Sequence, residues 1–165
     1  GWKDRRQALD EIYWLKEKGV VMVEQPMPKE QIDDTAWLTQ GSPLPIFADE
    51  SIQRLKDIKS IEGAFTGINI KLMKAGGIWQ AQKVCAIAET CGVQCMIGCM
   101  LESKIAVSAA AHLAAARSVV TRADLDGPSL CSEDPYTGGP VFEGSRILMN
   151  EAPGLGITAV PGFED

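Results

Sequence analysis

Five ionisable side chains in this sequence stand where short apolar runs stop: Glu24, Asp49, Lys71, Asp124 and Asp126. Glu24 closes Val20-Val21-Met22-Val23 and Asp49 closes Pro45-Ile46-Phe47-Ala48. Two carboxylates at the ends of neighbouring strands repel each other unless a cation lies between them. Oxygen-only donors suit a hard ion such as Mg2+, which keeps water or substrate oxygens and needs few protein ligands. Lys71 closes Gly67-Ile68-Asn69-Ile70 and shares a strand face with Asn69 and Met73. Beside a divalent cation its ammonium form is disfavoured, its pKa falls, and it becomes a general base near neutrality. Asp124 and Asp126 alternate across Leu125, so on a strand both carboxylates face one way and hold a cationic group, a second metal or an ammonium.

Each of these residues also has a plainer reading. Glu24 and Asp49 fit helix-capping acids at strand-to-helix turns, and Lys71 fits a structural ion pair with Asp49. Asp126-Gly127-Pro128 fits a turn with a capping acid. What favours chemistry for the two acids is their equivalent placement on successive units. Glu50 follows Asp49 and is expected to point away from a cation, in a supporting role. Lys74 lies past the strand and is expected in solvent. Glu102 and Ser103 are placed to cap the helix that follows them. His112 is the sole histidine and falls in the middle of an Ala-rich helix, where packing accounts for it. Trp2, Trp14, Trp37 and Trp79 lie on or beside helices and also read as packing. Cys91, Cys95 and Cys99 are spaced four apart, but no second pair and no suitably placed His joins them, so zinc is not expected. With Cys85 and Cys131 they read as reduced thiols of a cytoplasmic protein.

The elements that must position these residues alternate regularly. Helical periodicity covers 3–18, about 30–40, about 52–60, 78–91 and 103–117. Between these helices lie the apolar runs 20–24, 45–49, 67–71, 95–99 and 122–126. Their last residues, Glu24, Asp49, Lys71, Cys99 and Asp126, are separated by 25, 22, 28 and 27 positions. That period is the mark of repeated β/α units with parallel strands and right-handed crossovers. An open doubly wound sheet concentrates its chemistry at one switch point, usually behind a Gly-rich turn. Here the charged residues close strand after strand, as at the C-terminal rim of a (β/α)8 TIM-type barrel. Such a barrel needs about 250 residues and eight strands, whereas this chain has 165 residues and supplies five units. The expectation is the C-terminal portion of a barrel whose N-terminal part lies elsewhere. Residues 1–130 would hold the β/α units. Residues 131–165 would be a loop and hairpin segment packing back on the barrel or on a capping domain.

Composition narrows the partners. The net charge is −6, hydrophobic residues make up 45%, and Lys and Arg form no cluster, which argues against nucleic acid. No apolar stretch reaches the roughly 18–20 residues of a membrane span. A small molecule remains the expected partner, and nothing here fixes oligomeric state, homo-oligomer included.

Several words of the sequence resemble a known family. Val23-Glu24-Gln25-Pro26, Ala48-Asp49-Glu50-Ser51 and Asn69-Ile70-Lys71-Leu72-Met73-Lys74-Ala75-Gly76-Gly77 are similar to the muconate-lactonizing subgroup of the enolase superfamily. Cys99-Met100-Leu101-Glu102-Ser103 and Asp124-Leu125-Asp126-Gly127-Pro128 narrow the resemblance to dipeptide epimerases of the L-Ala-D/L-Glu type. The resemblance implies that Glu24 and Asp49 are the second and third Mg2+ ligands. Lys71 would be one of two lysines on opposite faces of the substrate α-carbon. Asp124 and Asp126 would bind the dipeptide ammonium, and Cys99 and Leu101 would contact substrate largely through backbone groups. The implied reaction is epimerisation of the second residue through an enediolate, in peptidoglycan peptide recycling. The first Mg2+ ligand, the Lys-x-Lys bearing the other base and the capping domain would lie upstream. These 165 residues alone are therefore expected to be inactive and to bind Mg2+ weakly. A cycloisomerase, an o-succinylbenzoate synthase or an N-acylamino acid racemase would share the metal and lysine. Their substrates lack the ammonium that Asp124 and Asp126 suit. A non-catalytic half-barrel scaffold is the alternative from another class.

Overall fold

A computed structural model describes residues 1–162. The first helix, α1 (Arg5–Glu17), starts where Asp4 accepts hydrogen bonds from the backbone N–H groups of Arg6 and Gln7 at 2.9 and 2.8 Å. It buries Ala8 and Ile12, one turn apart. There follow β1 (Val23–Glu24), α2 (Ile32–Gly41), β2 (Ile46–Ala48), a 3-10 helix at Leu55–Ile61, β3 (Gly67–Lys71) and a single helical turn, α3 (Leu72–Ala75). Then come α4 (Ile78–Thr90), β4 (Gln94–Gly98), α5 (Lys104–Ala116) and β5 (Val120–Asp124).

The strands β1 to β5 pair in chain order, and every pairing is parallel. A doubly wound sheet reverses its order at a switch point. This sheet does not, which is the progression of a closing barrel.

Strand alternation divides the side chains into two sets. Val23, Ile46, Ala48, Ile68, Ile70, Cys95 and Ile97 join the apolar core that packs against the helices. Glu24, Phe47, Asp49, Asn69, Lys71, Met96, Gly98, Arg122 and Asp124 occupy the opposite parity, the concave face. At the floor of that face Phe47 is fully buried and lies over Gly67, with the Arg122 guanidinium 5.1 Å from its ring centroid. A Cβ placed on Gly67 would stand 2.3 Å from the ring, so only glycine lets Phe47 seat there.

Beyond β5 the β/α repeat ends. A 3-10 turn at Gly127–Leu130 leads to β6 (Thr137–Gly138), the hairpin β7 (Val141–Glu143) and β8 (Arg146–Leu148), and β9 (Ile157–Ala159), which pairs with β6. This segment is tied to α5. Ser108 donates to the Leu155 carbonyl, and Lys104 forms an ion pair with Asp134. Residues 163–165 of the expected 131–165 segment lie outside the described residues.

Three expected spans change most. The first strand has only Val23–Glu24 rather than 20–24, because Val20 still bonds back to Leu15 at the helix end. The 52–60 helix is a 3-10 segment, Leu55–Ile61. The fifth strand is Val120–Asp124 rather than 122–126, because the chain turns at Asp126 into the 3-10 turn.

Gly67→Ala is expected to destabilise the full-length protein by about 1–3 kcal/mol, the usual effect of overpacking. Chemical denaturation would show this as a lower midpoint, and an unchanged midpoint would contradict the seating of Phe47 on Gly67.

Candidate active site

The concave face carries its polar groups at the C-terminal rim. Asp49 follows β2 and is 7% exposed. Its two oxygens are shared between two ammonium groups: Lys71 Nζ lies 2.8 Å from Oδ2 and Lys74 Nζ 2.8 Å from Oδ1. Lys74 is therefore not the solvated residue expected from its position. The α3 turn that follows β3 bends it back over the strand end. Burial raises the pKa of Asp49, but the hydrogen bonds from Lys71 and Lys74 outweigh burial, so its carboxyl titrates below the ordinary range. Burial of Lys71 likewise opposes its charge, and Asp49 outweighs that effect and raises the lysine pKa. A lowered value was expected beside a divalent cation. In this structure the nearest charge is the anion of Asp49, which acts in the opposite direction.

Glu24 is half-buried at the end of β1. Asn69 Nδ2 donates to its Oε1 at 2.7 Å. Burial raises the Glu24 pKa, the Asn69 hydrogen bond opposes this in part, and the negative charges of Asp49 and Asp124 add to the rise. Glu24 thus feels Asp49 and Asp124 across the face, with the Lys71 charge acting against them. Among the described residues no three His, Cys, Asp or Glu side chains cluster as a complete metal site.

The backbone beneath Asp49 is held by a residue that sequence reasoning passed over. Gln25 has φ 38°, in the left-handed region that side chains other than glycine rarely adopt. That turn sends its side chain to the β2 end. There Oε1 accepts from the N–H groups of Asp49 and Ser51 at 2.9 and 3.1 Å, and Nε2 donates to Ser51 Oγ at 2.9 Å. The signal available in the sequence was the polar residue between Glu24 and Pro26.

Asp124 ends β5 level with Lys71: Lys71 pairs in register with Gly98, and Gly98 with Asp124. Asp124 is exposed on that rim. Asp126 does not share its strand face as expected. It lies past β5 with helical backbone angles, φ −82° and ψ −2°, where it precedes the 3-10 turn. Cys99 follows β4 and is half-buried, and Leu101 is 73% exposed in the next loop. Gly127 locks these loops together, since a Cβ there would stand 2.7 Å from the Met100 carbonyl and 3.2 Å from Cys99 Sγ.

Other residues fall away from the rim chemistry. Glu102 turns back to accept from the Met100 N–H at 2.8 Å, while Ser103 is the residue that caps α5. Glu50 is exposed, and His112 is half-buried on α5. Cys85, Cys91, Cys95, Cys99 and Cys131 are free thiols, with Cys85 and Cys95 buried.

A family model described as "Enolase C-terminal domain-like" matches residues 1–161. The chain belongs to this enolase C-terminal domain-like family. Among curated relatives, the L-Ala-D/L-Glu epimerase of Bacteroides thetaiotaomicron is 55% identical over 160 residues, covering 97% of this chain and 41% of the relative. The L-Ala-D/L-Glu epimerase of Bacillus subtilis is 41% identical over 162 residues, covering 95% and 44%. Among solved structures, the dipeptide epimerase of Enterococcus faecalis V583 complexed with Mg and the dipeptide L-Leu-L-Tyr superposes with a TM-score of 0.89. It is 40% identical, and the match covers 96% of this chain and 46% of that one. The chain thus spans less than half the length of the curated relatives it matches. As the C-terminal part of a barrel in this family, it has its rim acids and lysine on successive strands.

Opposite pKa shifts give opposite stability profiles. Asp49 titrates below its ordinary 3.8, so its contribution is present above that value and is lost as the pH falls through the folded-state pKa. Glu24 titrates above its ordinary 4.5, so its contribution is present below that value and is lost as the pH rises through the folded-state pKa. In metal-free buffer near neutrality, Glu24→Gln is therefore expected to raise the melting temperature and Asp49→Asn to lower it. The same direction of change in both variants would contradict this electrostatic assignment.

Proposed function

We propose that the full-length protein is a Mg2+-dependent dipeptide epimerase acting on the second residue of L-Ala-D/L-Glu. The observation that carries this reading is the common rim position of Glu24, Asp49 and Lys71 on the C-terminal edge of adjacent parallel strands. The curated names of the relatives point the same way.

The residues fit Mg2+. Both donors are carboxylates, as a hard cation prefers. One of them, Glu24, stands where burial and neighbouring acids disfavour its charge, which is where a cation is most stabilising. Glu24 and Asp49 would hold the ion, and it would supply positive charge beside the substrate carboxylate, where removal of the α-proton builds negative charge.

The remaining work falls to the protein's own groups. Lys71 Nζ, once it leaves Asp49 and gives its proton to solvent, takes the α-proton on one face of the substrate carbon as a neutral amine, and in its ammonium form returns one. Inversion needs a second base on the opposite face, assigned to the part of the polypeptide outside this chain. Asp124, level with Lys71, holds the substrate ammonium, with Asp126 beside it on the following turn. Cys99 and Leu101 border the substrate through their backbone groups. Free thiols among the described residues suit the cytoplasm, and recycling of peptidoglycan peptides would provide the substrate. The segment after residue 130 acts in this reading as a brace for the barrel.

The test is α-proton exchange of L-Ala-L-Glu and L-Ala-D-Glu in D2O, followed by NMR with Mg2+ and the full-length protein. Exchange of both is expected, with its loss on chelation. Lys71→Ala is expected to abolish exchange from one epimer specifically. Equal residual exchange from both would sink the two-base role. Replacing Asp124 and Asp126 together by Asn is expected to reduce dipeptide turnover far more than Mg2+ affinity. The reverse ranking would favour an N-acylamino acid racemase or another subgroup member whose substrate carries no ammonium.

A further inference from the structure

Asn69 is 3% exposed on the concave face, in the middle of β3, between two apolar residues of the core. Its amide does two unlike things. Nδ2 donates to Glu24 Oε1 at 2.7 Å, while Oδ1 has no hydrogen-bond partner among the described residues. The orientation follows from chemistry: an ionised carboxylate only accepts, so the amide must present its nitrogen to Glu24 and leave its oxygen open. A buried acceptor without a donor works against folding, so stability alone does not explain an asparagine here.

The neighbouring strand is built around this amide. Gly98 of β4 has ordinary backbone angles and needs no glycine for its conformation. A Cβ at Gly98 would nevertheless stand 2.6 Å from Asn69 Oδ1 and 2.8 Å from Nδ2. Glycine at that position is the space in which the amide lies. The arrangement runs through three strands: a gap on β4, an amide from β3 filling it, and a carboxylate on β1 fixed by that amide.

From this geometry we infer that Asn69 is a positioning residue for the cation site, with Gly98 as the gap that admits it. This rests on the reading of Glu24 as a Mg2+ donor. Holding Oε1 fixes the rotation of the Glu24 carboxylate, so its other oxygen is aimed before the ion arrives. Supporting groups that orient a ligand in this way typically change metal affinity roughly 10–100-fold when removed.

The experiment is calorimetric titration of the full-length protein with Mg2+ in the absence of substrate, comparing wild type, Asn69→Ala, Asn69→Ser, Gly98→Ala and the Asn69→Ala/Gly98→Ala double variant. Circular dichroism identifies the folded variants, and Asn69→Ser serves if Asn69→Ala does not fold. Each single variant is expected to weaken Mg2+ binding by roughly 10–100-fold. The double variant is expected to be no weaker than the worse single one, because both changes break the same contact. Wild-type Mg2+ affinity in a folded Asn69 variant, or losses that multiply in the double variant, would overturn the inference while leaving Mg2+ binding intact. Absence of Mg2+ binding by the wild type would instead remove the functional reading, and this inference with it.

Discussion

Charge placed on the concave face of the sheet is the constraint from which the rest of this structure follows. Asp49 is nearly enclosed there, and an enclosed carboxylate persists only when its charge is answered. Two ammonium groups answer it, one from β3 and one from the turn after β3. Glu24 is answered less completely, by a single amide hydrogen bond and, among the described residues, no ammonium within ion-pair distance. Of these two carboxylates Asp49 is neutralised and Glu24 is not, and burial, with the neighbouring acids adding to it, raises the Glu24 pKa. A catalytic site often retains such unfavourable electrostatics, because the partner it lacks is the one it binds.

The helices and loops serve this arrangement. Outward-facing Ile46, Ala48, Ile68, Ile70, Cys95 and Ile97 bury the sheet against the helices and fix the strand register. Register in turn sets which side chains meet across the concave face, since a slip by one residue would turn Asn69 and Lys71 outward. Close approaches to Gly67, Gly98 and Gly127 seat Phe47, Asn69 and the loop after β4 in turn. The strained Gln25 holds the Asp49 backbone, so a stretch of unfavourable conformation is located beside the site it serves.

Much of this was legible in the sequence because the period was simple. Apolar runs ending in Glu24, Asp49 and Lys71 at near-constant spacing gave parallel β/α units, and the rim position of those residues followed. Local geometry was less legible. The bend at α3 that returns Lys74 to Asp49 is a single helical turn closed by Gly76, too short for any periodicity to mark. The displacement of Asp126 from the strand face depends on where β5 stops, and the residues before Gly127-Pro128 carry no alternation strong enough to mark that point. The roles of Gln25 and Gly98 arise from contacts between strands about 25 to 30 residues apart. No local pattern encodes such contacts.

The most direct measurement is a crystal structure of the full-length protein grown with Mg2+. The account predicts an ion coordinated by Glu24 and Asp49 at about 2.0–2.1 Å, the distance Mg2+ takes to oxygen. Lys71 Nζ would have moved off Asp49 Oδ2 toward the open side of the site, with the Asn69 hydrogen bond to Glu24 retained. A fully occupied ion bound elsewhere, with Lys71 and Lys74 both still on Asp49, would contradict it.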